Sequence, residues 1–172
     1  MLSNLNLGMR GHDTAAEDIF ALSEILGKAG VKHVQLALKK SFKSIDWGEG
    51  TLTPSFARLM KNVLAENGVR VSILGCYINP VHPDEAVRRE QLDWFKANLK
   101  FAKYLDCDMV GTETGFYNSI EETHTEENYQ RFLTSMRELV DCAEKLGTIV
   151  GVEAVTKHSM HNPAMTKRFL DA

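Results

Sequence analysis

Asn67-Gly68-Val69-Arg70-Val71-Ser72-Ile73-Leu74-Gly75-Cys76-Tyr77-Ile78-Asn79-Pro80 runs through three structural signals in succession. Asn67-Gly68 stops a helix, because glycine takes the left-handed backbone that a helix C-terminus favours. Val69 to Gly75, with β-branched residues at 69, 71 and 73, reads as a strand. Cys76 to Pro83 reads as a loop stiffened by Pro80 and Pro83. Upstream, Thr53 caps a helix and Pro54 takes its first position, where a missing N–H costs little. Phe56, Leu59, Met60, Val63 and Leu64 form the buried stripe of that helix. Downstream, Asp84 caps a long helix that runs to about Leu105.

The same unit recurs in both directions. Leu5 to Met9 is a short strand. Asp13 or Thr14 caps a helix over Ala16–Ala29, with Glu17 and Asp18 in its first turn, where the helix dipole favours acids. His33 to Leu38 alternates as a strand, and residues 39–53 read as a polar loop. Met109 to Thr112 is the fourth strand, followed by a loop rich in Thr, Asn and Glu. A helix over Glu126–Leu146 buries Phe132, Met136, Leu139, Val140 and Ala143. Thr148 to Val155 is the fifth strand, and Pro163 to Leu170 a final short helix. Ala29-Gly30-Val31, Asn67-Gly68-Val69 and Leu146-Gly147-Thr148 mark three helix-to-strand junctions. Leu105-Asp106-Cys107 holds the same place in the fourth.

Alternating strands and helices imply α/β architecture with parallel pairing and right-handed crossovers. Two arrangements follow: an open doubly wound parallel sheet, or a (β/α)8 TIM-type barrel. Five strands suit the open sheet, since a barrel typically needs about 250 residues. Against it, Gly8-Met9-Arg10-Gly11 provides neither G-x-G-x-x-G nor G-x-x-x-x-G-K-[ST] after the first strand. Polar residues gather just past the strands' carboxyl ends: Arg10, His12, Lys39, Tyr77, Asn79, His82, Thr112, Glu113, Glu153, Lys157 and His158. A barrel places its site on that face, but an open sheet also uses carboxyl ends, so the pattern discriminates only mildly.

Composition narrows the class of protein. The 172 residues have room for one domain with a core. A hydrophobic fraction of 44% and a charged fraction of 25% are ordinary for a soluble chain. A net charge of −3 gives no sign of nucleic acid or an anionic membrane as partner. The three cysteines, Cys76, Cys107 and Cys142, are far apart with no C-x-x-C, as expected of reduced thiols in a cytoplasmic protein. Met1 to Arg10 lack a basic start before an apolar run, and no stretch nears the ~20 apolar residues of a membrane span.

Leu74-Gly75-Cys76-Tyr77-Ile78-Asn79-Pro80, the helix from Arg88 to Leu105, Val110-Gly111-Thr112-Glu113-Thr114-Gly115 and Gly151-Val152-Glu153-Ala154-Val155 together resemble the sugar isomerase/epimerase superfamily. Its barrel is similar to that of xylose isomerase and the AP endonucleases. The resemblance spans nearly the whole chain, and G-x-Y-x-N-P and V-G-T-E-T-G are its most specific pieces. It implies a (β/α)8 barrel with about five of eight units present, so that residues 1–172 form one partial barrel domain. It also implies a divalent metal (Mn, Mg, Zn or Co, not distinguished) held by acidic and histidine ligands at the ends of later strands. Glu153 matches the glutamate that ends the fifth strand. The remaining ligands belong to strands six to eight, which have no counterpart here. A truncated chain is the expectation, with a gene fragment or completion by association between copies as alternatives.

The implied function is a metal-dependent isomerase or epimerase of a sugar or sugar phosphate. Proton transfer next to a carbonyl would use Glu153 and a second glutamate on the opposite face. Two alternatives stay open: an AP-endonuclease-like phosphodiester hydrolase, which the acidic balance disfavours, and a non-catalytic barrel fragment. Glu153 also stands out without the resemblance. It ends an apolar run, where a buried carboxylate is costly unless bound to something, and a divalent cation ligated through oxygen would suit it. Glu113 ends the fourth strand between Thr112 and Thr114, which are placed to orient it or to bind hydroxyls. Tyr77, Asn79, His82 and His158 complete the expected substrate contacts. His158 and His161 sit in a loop before Pro163, too few for a zinc site. His12 follows the first strand, within reach of the barrel mouth. Trp47 either stacks on a sugar or covers the core. His124 and the acids around it read as a solvated loop.

Overall fold

The computed structural model describes residues 6–172. Its strands are β1 (Gly8–Arg10), β2 (His33–Leu36), β3 (Arg70–Gly75), β4 (Met109–Glu113) and β5 (Ile149–Glu153). Its helices are α1 (Ile19–Lys28), α2 (Leu38–Ser41), α3 (Pro54–Glu66), α4 (Glu85–Tyr104), α5 (Ile120–Thr123), α6 (Glu126–Leu146) and α7 (Pro163–Leu170). Short 3-10 turns cover Gly11–Asp13 and Glu49–Thr51.

The five strands form one sheet in the order β1-β2-β3-β4-β5. β1 pairs with β2, and β2 with β3, in parallel, with a register shift between Val34 and Gln35. An unbroken sequential order is what a barrel produces, each crossover stepping the same way round. An open doubly wound sheet reverses its order at a switch point. The doubly wound alternative is therefore set aside, and the architecture is a (β/α) TIM-barrel type with five units present. No helix among the described residues is long and apolar enough to cross a membrane.

The helix-to-strand junctions share one backbone device. Gly30, Gly68 and Gly147 have φ of 69°, 69° and 66°, and Asp106, at the fourth junction, has φ 53°. Each puts one left-handed residue after a helix, which turns the chain back toward the sheet.

Local signals set most element starts. Thr53 accepts a hydrogen bond from the Phe56 N–H with Pro54 behind it, Thr125 from Asn128, and Asn162 from Met165 ahead of Pro163. The first helix differs from expectation. Its cap is Asp18, which accepts from the Ala21 N–H at 2.8 Å. Asp13 instead pairs with Arg10 in the 3-10 turn, and the Thr14 hydroxyl donates to the Gly11 carbonyl. The expected strand from Leu5 starts outside the described residues; β1 begins at Gly8. The second strand ends at Leu36, and α2 begins at Leu38, the last residue of the expected strand, and runs on into the segment read as loop.

The chain divides into two compact units: the segment through Cys76 with Ala97–Val110, and Tyr77–Lys96 with Gly111–Ala172. In the first, Leu22, Leu26, Leu36, Leu38, Met60, Leu64, Leu74 and Phe101 are buried. Each such side chain contributes roughly 1.5–3 kcal/mol over leaving it exposed. α1 meets α3 through a buried polar link as well, the Ser23 hydroxyl donating to the Val63 carbonyl at 2.6 Å. Trp47 donates its indole N–H to the Phe42 carbonyl and packs 6.1 Å from Phe56, so it covers this core. In the second unit, Leu92, Phe95, Phe132, Met136 and Leu139 are buried, and Phe169 reaches Phe132 at 5.2 Å.

Candidate functional site

All six residues singled out as catalytic, ligating or substrate-binding lie in the second unit: Tyr77, Asn79, His82, Glu113, Glu153 and His158. Its scaffold is built around β4. Side chains alternate along a strand, and here Val110, Thr112 and Thr114 are buried while Glu113 is half-buried. The two buried threonines hold neighbouring loops. Thr112 Oγ1 accepts the Ile78 N–H at 3.3 Å, and Thr114 Oγ1 accepts the Met160 N–H at 3.1 Å. The threonines thus bond backbone.

With its neighbours pinned on one side, Glu113 projects on the other. Its Oε2 lies 3.7 Å from His158 Nδ1, an ionic contact longer than a hydrogen bond. The two side chains are 34% and 19% exposed, so one face of the pair is open to solvent. His158 sits in the loop after β5, with its Nδ1 buried. A carboxylate and an imidazole in this relation can pass a proton or share a hydroxyl between them.

The loop itself is fixed from below. His124 and His161 stack at 3.6 Å between ring centroids. Burial, above all, holds His124 below the ordinary imidazole range, and the His161 ring adds to it. A hydrogen bond to the His158 backbone and the charge of Glu121 act in the opposite direction. Asn128 Nδ2 donates to the Thr123 carbonyl and to Ser159 Oγ. His124 therefore stacks on a neighbour and is not simply part of a solvated loop. The sequence offered no signal for this, because the partners lie 37 positions apart.

Asn79 and His82 act locally in the loop after β3. Asn79 Nδ2 donates to the Phe116 carbonyl at 2.6 Å, and Oδ1 accepts the Phe116 N–H at 3.2 Å. His82 Nδ1 accepts the Asp84 N–H at 3.1 Å, just before α4. Tyr77 is half-buried at the start of the loop.

Glu153 ends β5, next to β4 in the sheet order. The expectation that it is buried does not hold: it is exposed. β5 is the last strand in that order, its burial is low along its length, and Ile149 is 52% exposed. A strand with a neighbour on one side only cannot enclose its side chains. Among the described residues no three His, Cys, Asp or Glu side chains gather as a metal site. Glu153 could give one oxygen donor to a divalent cation, but the described residues do not complete a donor set. An open cleft of about 720 Å3 lies past the carboxyl end of β5, between Ala154, Val155, Met160 and α7, and no carboxylate of the candidate site lines it.

A family model described as the xylose isomerase-like TIM barrel matches residues 23–172. No curated protein sequence matches the chain significantly. Several solved structures share the fold. A xylose isomerase domain protein from Planctomyces limnophilus superposes with a TM-score of 0.72 at 15% identity, over 96% of this chain and 58% of that one. D-allulose 3-epimerase from Methylomonas sp., solved with D-allulose, gives 0.70 at 17% identity, over 97% and 58%. 3-keto-D-glucoside 4-epimerase from E. coli gives 0.75 at 14% identity, over 98% and 64%. The chain thus spans less than two thirds of the length of these structures.

Proposed function

The chain belongs to the xylose isomerase-like TIM barrel family, and we propose that it carries the strand-four and strand-five part of a sugar isomerase or epimerase site. The substrate class is a sugar or sugar phosphate, and the reaction a proton transfer next to its carbonyl. The observation that supports this most is the Glu113–His158 pair, an acid and an imidazole at 3.7 Å beyond the ends of adjacent strands. Two titratable groups at the carboxyl ends of barrel strands lie where this architecture keeps its chemistry. The 3-epimerase and 4-epimerase with the same fold lend the reaction class.

In this reading Glu153 is the general base. Its carboxylate is exposed at the end of the strand, where a substrate carbon acid can reach it. Glu113 and His158 hold the substrate's hydroxyls, the carboxylate accepting and the imidazole N–H donating. A divalent cation is the cofactor this class suggests, with Glu153 as one oxygen ligand. Because the described residues do not complete its donor set, the proton transfer is assigned to the carboxylate alone.

The test is solvent exchange. Purified protein is incubated in deuterated buffer with a panel of ketoses and their phosphates, with Mn2+ present. Deuterium should enter the carbon next to the carbonyl of at least one substrate, and Glu153→Gln should stop it. A panel without any incorporation by the unaltered protein would overturn the proposal.

A further inference from the structure

A separate cleft lies in the first unit, at the carboxyl ends of β1 and β2. It has a volume of about 380 Å3 and is lined by His12, Thr14, Lys40, Ser41, Lys43 and Ser44. The 3-10 turn after β1 supplies one wall and the end of α2 the other. We infer that this cleft binds a phosphate-type oxyanion, either free phosphate or the phosphate of a monoester.

Charge and donor chemistry carry the argument. Glu17 also lines the cleft, but the two lysines outnumber it. Asp13, the other nearby acid, is engaged by Arg10 at 2.8 Å. Two ammonium groups and the Ser41 and Ser44 hydroxyls are the kind of donors that a tetrahedral oxyanion needs, whereas the Thr14 hydroxyl is spent on the Gly11 carbonyl. Ser41 gives an independent sign. It is 7% exposed, and its hydroxyl has no hydrogen-bond partner among the described residues. A buried hydroxyl left unpaired is costly, and a ligand oxygen would satisfy it.

The backbone is shaped to match. A Cβ on Gly11 would come within 3.2 Å of Ser41 Oγ and 3.3 Å of Leu22 Cδ2, so glycine lets the turn lie close against α2. Burial holds His12 below the ordinary imidazole range; Asp13 opposes this, while Lys40 and Arg10 push the same way as burial. A volume near 380 Å3 falls within the range of small-ligand pockets. Every residue in the argument belongs to the first unit, so the inference is independent of the assignments to Glu113, Glu153 and His158.

Inorganic phosphate is titrated into the purified protein at low ionic strength, followed by NMR at the His12 ring and by calorimetry. Saturable binding should shift the His12 resonances and raise the pKa of that ring, since an adjacent anion favours the imidazolium. The double variant Lys40→Gln/Lys43→Gln should bind at least tenfold more weakly; both lysines are exposed, so the fold should survive. Ser41→Ala should weaken binding several-fold while the thermal midpoint holds or rises. Lys100→Gln, on the exposed face of α4, should change nothing. Ribose 5-phosphate binding more tightly than phosphate would identify a phosphorylated sugar as the source, and equal affinity would identify the free oxyanion. Unchanged affinity in the double variant, or an equal loss in Lys100→Gln, would overturn the inference. Such a failure would leave the solvent-exchange result untouched.

Discussion

Asn79 grips Phe116 with both ends of its side-chain amide, donating to the carbonyl and accepting from the N–H of the same residue. Its Oδ1 also accepts the Val81 N–H at 3.3 Å, and its own N–H donates to Gln91 Oε1 at 2.5 Å. The loop after β3 is thereby tied to the loop after β4. One amide N–H of Asn79 is left for a ligand, so its main effect on a substrate is through the loops that it holds.

Gly115 makes this grip feasible. Its φ is +77°, and a Cβ there would lie 2.5 Å from Asn79 Oδ1 and 2.8 Å from Pro80 Cδ. Gly115→Ala should destabilise the protein by about 2–4 kcal/mol, from the left-handed backbone and from overpacking. Urea denaturation with an unchanged m-value would show it. A loss under about 1 kcal/mol would mean that the loops tolerate separation.

Ser135 anchors the same loop from α6. Its hydroxyl donates to the Pro80 carbonyl at 2.7 Å and accepts from Arg88 Nη1 at 2.6 Å. Arg88 is buried and is also held by Glu85. Ser135→Ala leaves a buried carbonyl and part of a buried guanidinium unpaired, at a cost of about 1–3 kcal/mol. Thermal unfolding of the variant beside the parent protein measures this.

Acid stability should depend on Glu138. The hydrogen bonds from Arg89, with Lys96 beside them, hold its carboxyl down at about 2, against the opposing effect of partial burial. The native state therefore binds fewer protons than the unfolded chain between the ordinary carboxylate range and about pH 2. Its contribution is present above about pH 4.5 and is lost as pH falls toward 2. Because the side chain is about a third exposed, screening limits the contribution to roughly 1 kcal/mol. Glu138→Gln should flatten the stability profile across that window, as read by denaturation at a series of pH values.

Glu113 and His158 should affect binding more than turnover. Glu113→Gln and His158→Ala should each raise KM by roughly ten- to a hundredfold, the value of a hydrogen bond to a ligand that is partly charged. kcat should change far less. A matching fall in kcat with KM unchanged would instead place these residues in the proton transfer itself.

The helices were legible because their signals are local. Thr53-Pro54, Thr125 and Asn162-Pro163 cap the helices that follow them, through contacts three residues away. α2 and α5 escaped notice since four residues are too few to show a period. Asp106 was visible as occupying the place of a junction glycine, and its φ of 53° gives the reason. Of the site, the strand ends Glu113 and Glu153 were readable from position. The contact of Glu113 with His158 was not, as they stand 45 positions apart.

From sequence alone came the alternation of strands and helices, the junction residues and the helix caps. Neighbouring residues determine each of these through backbone preference and short-range hydrogen bonds. The tertiary structure alone decided the strand order β1-β2-β3-β4-β5, which agrees with the barrel that the family resemblance in the sequence implied and that periodicity left open. It also decided the exposure of Glu153 and the stacking of His124 on His161. These depend on which distant segments pair, and no local preference encodes that choice.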